Sequence, residues 1–201
     1  MNNGVLAPRG WHCFSLYGSS GTVVLVTPRP IDVKRIYEPN FKLAGNGIEF
    51  GYTLGGTSGR FEVARVAAKF FPIARDLIDR AAKEEKEIGV PFDLSGNAFL
   101  HDRIVSRTDT VVRFVTPDKK QGLGTSNRLA PNASPVEGMT ALIIDGGETD
   151  LIELNVCLAR KDLDLIPTIQ SVVEANHGDP LSSAPLRNPT EVNAAAPRRP
   201  R

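Results

Sequence analysis

Ile48-Glu49-Phe50-Gly51-Tyr52-Thr53-Leu54-Gly55-Gly56-Thr57-Ser58-Gly59-Arg60-Phe61-Glu62-Val63-Ala64 is the stretch on which the fold turns. Ile48, Phe50, Tyr52 and Leu54 alternate with Glu49, Gly51 and Thr53, the two-residue period of a half-buried strand. Beyond the glycines the period changes. Val63, Ala67, Phe70, Ala74, Leu77 and Ala81 recur at steps of three and four, which predicts an amphipathic helix over 59–87 with Ser58 or Thr57 as its N-cap. Pro72 falls inside that span and lacks the N–H a helix interior needs, so the helix kinks there or divides into two abutting pieces. Its outer face carries mixed charges four residues apart, such as Asp76 and Arg80, which reads as a solvated surface.

On the N-terminal side, Trp11–Tyr17 and Thr22–Thr27 are β-rich runs joined by Gly18-Ser19-Ser20-Gly21, the pattern of a hairpin. On the C-terminal side, strand-like runs lie at 104–106, 110–116, 140–144 and 151–158, with Asp145-Gly146 marking a hairpin between the last two. Asp164 is placed to cap a final helix through Ala175. Strands and helices therefore come in blocks without strict alternation, which predicts an α+β fold. The expected sheet is mainly antiparallel, with six or seven strands and two or three helices covering one face. Residues 118–138, rich in glycine and proline and poor in large apolar side chains, form a connection long enough to be a lid or binding loop.

The chain has 201 residues, 24 basic against 23 acidic, 41% apolar residues and a formal charge of +1, which excludes a polyanion-binding surface carried by net charge. Arg187, Arg198, Arg199 and Arg201 against Asp179 and Glu191 give residues 178–201 a charge of +2, leaving −1 for residues 1–177. Five of the 15 prolines also fall in that last segment. We therefore read 1–177 as one domain and 178–201 as a disordered tail. No apolar run approaches a membrane span. The aromatic residues crowd the first third of the chain, and none follows Phe114.

Candidate chemistry is sparse. His12, His101 and His177 are the only histidines, and no His or Cys spacing suits zinc, so no metal and no cofactor is expected. The segment Gly56-Thr57-Ser58-Gly59-Arg60 lacks the final glycine of a nucleophile elbow. A hydrolase or transferase using Ser58, with His101 or His12 as base, is the alternative function. The same turn entering a helix presents backbone N–H groups, with Arg60 beside them, to a small anion. Its glycines equally serve positive φ and close packing. Lys119, Lys120 and Arg128 in the long connection are further candidate ligand-binding residues. The leading expectation is a non-enzymatic module that binds a small anionic ligand or a protein partner, without nucleic acid. Cys13 and Cys157 read either as two buried thiols or as one bridge.

Pro8-Arg9-Gly10-Trp11-His12-Cys13-Phe14 and Gly55-Gly56-Thr57-Ser58-Gly59-Arg60-Phe61-Glu62-Val63-Ala64 resemble a group of uncharacterised bacterial exported proteins, over about residues 8–176. The likeness includes Gly122-Leu123-Gly124-Thr125. It implies an extracytoplasmic location and, with export, a Cys13–Cys157 disulfide. Met1-Asn2-Asn3-Gly4 shows no signal peptide, which reads as cytoplasmic if the chain is complete. The order of elements also resembles the PsbP/Mog1-like α+β class, a likeness of fold alone.

Overall fold

The computed structural model describes residues 4–89, 91–95, 97–145 and 147–177; the expected tail at 178–201 lies outside them. Seven strands form one antiparallel sheet: β1 (His12–Gly18), β2 (Gly21–Thr27), β3 (Gly47–Thr53), β4 (Arg103–Arg107), β5 (Val111–Thr116), β6 (Val136–Asp145) and β7 (Glu148–Cys157). Their order across the sheet is β1-β2-β3-β7-β6-β5-β4. Two runs of neighbouring strands thus meet where β3 pairs with β7. The helices are α1 (Val33–Ile36), α2 (Arg60–Phe70), α3 (Arg75–Ile88) and α4 (Ile166–His177). The α2–α3 segment carries the chain from β3 to the far edge, and β4 through β7 then wind back to it.

The α+β class and the antiparallel sheet hold, as does the division of the long helix at Pro72, where a 3-10 turn over Pro72–Ala74 separates α2 from α3. The expected caps do not form. Gly59 is the N-cap of α2 with no side-chain bond, and a 3-10 turn over Arg160–Leu165 occupies the place where Asp164 was expected to open α4.

Coverage of the sheet on one face only is corrected as well, because both faces are packed. Ile48, Phe50 and Tyr52 join Ile152, Leu154 and Val156 beneath Ile166, Ile169 and Val173 of α4. Phe70, Phe71, Phe99, Phe114, Leu142 and Leu151 build a second core on the opposite face, under α2 and α3. A strand enclosed on both sides needs no polar face, and every residue from Leu151 to Leu158 is buried. The packing of α2 against β7 and β3 leaves the β1–β2 end of its face without a helix.

Candidate functional site

That uncovered end is a cleft of about 710 Å³. Strand register places Leu16, Val23, Gly51 and Glu153 side by side across its floor. Gly51 makes the floor low: a Cβ there would first meet Glu153 Cβ at 3.8 Å, so the glutamate has open space beside it. One wall is Phe61 at the start of α2, with Phe92 stacked on it at 4.4 Å between ring centroids. Tyr37, just beyond α1, is 71% exposed and lines the opening, whereas the side chain of Tyr17 alternates with that of Leu16 and faces the other side of the sheet. Ser126, Asn127 and Arg128 close another side.

The charges in the cleft are unevenly committed. Arg65 makes a two-point pair with Glu62, at 2.8 and 2.6 Å, and lies over the Phe99 ring. Arg128 reaches the Ile36 carbonyl at 3.4 Å. Glu153, 8% exposed, has one carboxyl oxygen, Oε1, with no hydrogen-bond partner. Two residues along β7 and on the same face, Asn155 Oδ1 is also buried and unpartnered. Burial holds the Glu153 carboxyl well above the usual carboxylate range, and the nearby negative charges of Glu62 and Glu49 push in the same direction, against a smaller opposing effect of Arg65.

A carboxyl raised in the folded state keeps its proton there after the unfolded chain has lost it, so the stability Glu153 contributes falls as pH rises above about 4.3. Glu153→Gln removes that loss. Urea denaturation at pH 4, 6 and 8 is expected to show the variant gaining on wild type with pH, by at most about 1.4 kcal/mol per unit. Glu49 and Asp102, also raised by burial, are present in both proteins. A difference that does not change with pH would contradict this.

The connection expected to be a lid or binding loop is tied down at 123–129. Lys42 Nζ donates to the carbonyls of Thr125, Ser126 and Asn127, the first two at 2.8 and 2.7 Å. The buried Glu49 carboxylate accepts from the N–H groups of Arg128 and Leu129 at 3.0 and 3.1 Å. Leu43 pairs with Leu129, and Asp102 accepts from Leu123 N–H and the Thr116 hydroxyl. Lys42→Met should cost about 1.5–3 kcal/mol, the range for hydrogen bonds to a charged group. Hydrogen exchange should rise at 123–130 and stay unchanged in β6 and β7.

Of the residues singled out in the sequence, Ser58, Gly59 and Arg128 line the cleft, whereas Gly56, Thr57, Arg60, Lys119 and Lys120 do not. The donors of the glycine turn are largely engaged within the protein. Gly55 N–H donates to Asp150 at 2.8 Å, Gly59 N–H to Thr57 Oγ1 at 3.1 Å and Arg60 N–H to the Thr57 carbonyl at 3.2 Å. Arg60 itself pairs with Glu84 at 2.5 Å. Comparison with protein-family models, curated proteins and solved structures returned no match. The site must therefore speak through its own geometry.

Ser58 Oγ lies 2.7 Å from Ser20 Oγ, and among the described residues no histidine lines the cleft. His12 is at the other end of β1 from the hairpin turn, about 20 Å along the strand from Gly18. His101 sits before β4, against the Gln121 carbonyl. Cys13 and Cys157 are both free thiols. They occupy opposite faces of the sheet with β2 and β3 between their strands, about 14 Å apart by strand spacing, so the expected disulfide does not form in this fold. Cys13 is also exposed, because β1 is an edge strand, and so is not the core residue its apolar neighbours suggest.

Sequence reasoning missed Glu153, Glu62, Arg65, Tyr37 and Phe92. One signal was available: Glu153 is a charge in the middle of Leu151-Ile152-Glu153-Leu154-Asn155-Val156, and a charge in a buried run marks a special environment.

Proposed function

We propose that this chain is a binding module whose site is the cleft between the β1–β3 end of the sheet and the start of α2. The observation that carries this reading is the preformed cavity itself, of ligand size, lined by aromatic rings and a few polar groups. The glycine turn serves this site as a support: it starts α2, which sets Phe61, Glu62 and Arg65 along one wall. An anion seated on the turn finds few unused donors there, which moves the expected binding locus from the turn to the cleft beside it.

Titration of isotope-labelled protein with a fragment library tests the proposal. Shifts should concentrate at Tyr37, Gly51 and Phe92. Gly51→Leu, which places a side chain on the floor beside Glu153, is expected to weaken any such fragment by at least about tenfold, the effect of losing roughly 1.4 kcal/mol. Shifts confined to other surfaces, or none, would overturn it.

A further inference from the structure

The proposed site also indicates what kind of molecule it takes, an inference that rests on the cleft being the binding site. The cationic side chains that line it already have acceptors inside the protein: Arg65 has Glu62, and Arg128 has the Ile36 carbonyl. Its most buried lining carboxyl has no donor at Oε1, and the acceptor of Asn155 behind it is unpartnered too. A buried acceptor left alone is costly, so a ligand that brings N–H donors gains most at this point. Glu62 and Glu49 face Glu153 from α2 and β3, Arg65 opposes them from α2, and Glu38 stands at the rim. The field at the floor therefore favours positive charge. Tyr37 and Phe92 line the way in, and aromatic faces attract cations.

We propose that the cleft binds a small organic cation, a primary ammonium or guanidinium on a compact body, with its charged head on Glu153 and its body against Tyr37 and Phe92.

The cation meets the ionised carboxylate. Where Glu153 is protonated in the unliganded protein, its proton passes to the buffer as the ammonium binds, and the ligand itself loses none. Affinity then rises with pH until Glu153 is ionised without ligand.

The test uses the full chain and three compounds of one shape: benzylamine, benzyl alcohol and benzoate. Calorimetry at pH 6.5 in two buffers of different ionisation enthalpy, with the chemical-shift titration alongside, should show benzylamine bound at least tenfold more tightly than the other two. In a series extended from pH 6.5 down to pH 4.5, where a carboxyl raised above its ordinary value still holds its proton, proton release should accompany it. Glu153→Gln should abolish the preference and the proton release; if that variant does not fold, the pH and buffer dependence of the wild type decides. Shifts at Tyr37 and Phe92 with alcohol or benzoate but not with the amine would overturn the cation inference and leave the cleft as the site. Amine binding without proton release that persists in Glu153→Gln would overturn the role of Glu153. Absence of cleft shifts with all three compounds and with the fragment library would remove both readings.

Discussion

Gly55→Ala is expected to destabilise the protein by about 3 kcal/mol or more, while Gly56→Ala changes stability by less than about 0.5 kcal/mol. The two glycines are adjacent and look equivalent in the sequence. A Cβ on Gly55 would lie 1.9 Å from the Thr149 carbonyl oxygen and 2.7 Å from its carbon, both backbone atoms of β7. Neither can yield without moving the strand, and Asp150 next along β7 receives both Gly55 N–H and the Tyr52 hydroxyl. Displacing Gly55 therefore strains two bonds that fix the end of β3 against β7. The nearest atoms a Cβ on Gly56 would meet belong to the carboxyl group of Glu148, the far end of an exposed side chain that swings away. Its restriction of the unfolded chain then offsets most of what remains. Guanidinium denaturation of the two variants checks this. Equal losses would mean that the turn needs its glycines for something other than close approach to β7.

The same contrast shows what can be read from the sequence here. The strand–turn–helix order was legible because it rests on local periodicity, and so were the break at Pro72 and the β1–β2 hairpin. Glycine-rich turns before helices serve anions in some folds and packing in others, and the difference lies in Thr149, about 90 residues away along the chain. The cleft was illegible for a related reason. Leu16, Val23, Gly51 and Glu153 become neighbours only when β3 pairs with β7, a junction between two runs of strands that no local pattern announces. The crowding of aromatic residues in the first third overlaps the proposed cleft only in part: Tyr37 and Phe61 line it, and Phe92 completes the wall from outside that region.

The length of the 118–138 connection suggested mobility, and its anchor is a charge in what reads as an ordinary half-buried strand. Glu49 is 2% exposed on β3, and one of its oxygens, Oε2, holds both Arg128 N–H and Leu129 N–H. Burial pushes this carboxyl above its ordinary range, opposed by those two bonds and by the charges of Lys42 and Arg128. Glu49→Leu leaves two backbone donors facing an apolar side chain. At about 1–3 kcal/mol for each buried donor left unmade, the loss is about 2–6 kcal/mol, of which added apolar burial returns only a part. Glu49→Gln keeps an oxygen for the same two donors and is expected to lose less than about 1.5 kcal/mol near neutral pH.

The functional consequence follows from the same bonds. Ser126, Asn127 and Arg128 form one side of the cleft, and Lys42 holds the carbonyls of Thr125 through Asn127 from below. Releasing Arg128 and Leu129 lets that side move outward. Glu49→Leu should therefore lose fragment binding in the cleft even at temperatures where it remains folded, while Glu49→Gln retains it. Hydrogen exchange at 126–130 reads the first effect and the fragment titration the second. A Glu49→Leu protein as stable as wild type, or one that binds as wild type does with exchange at 126–130 increased, would show that the wall of the cleft does not depend on this carboxylate.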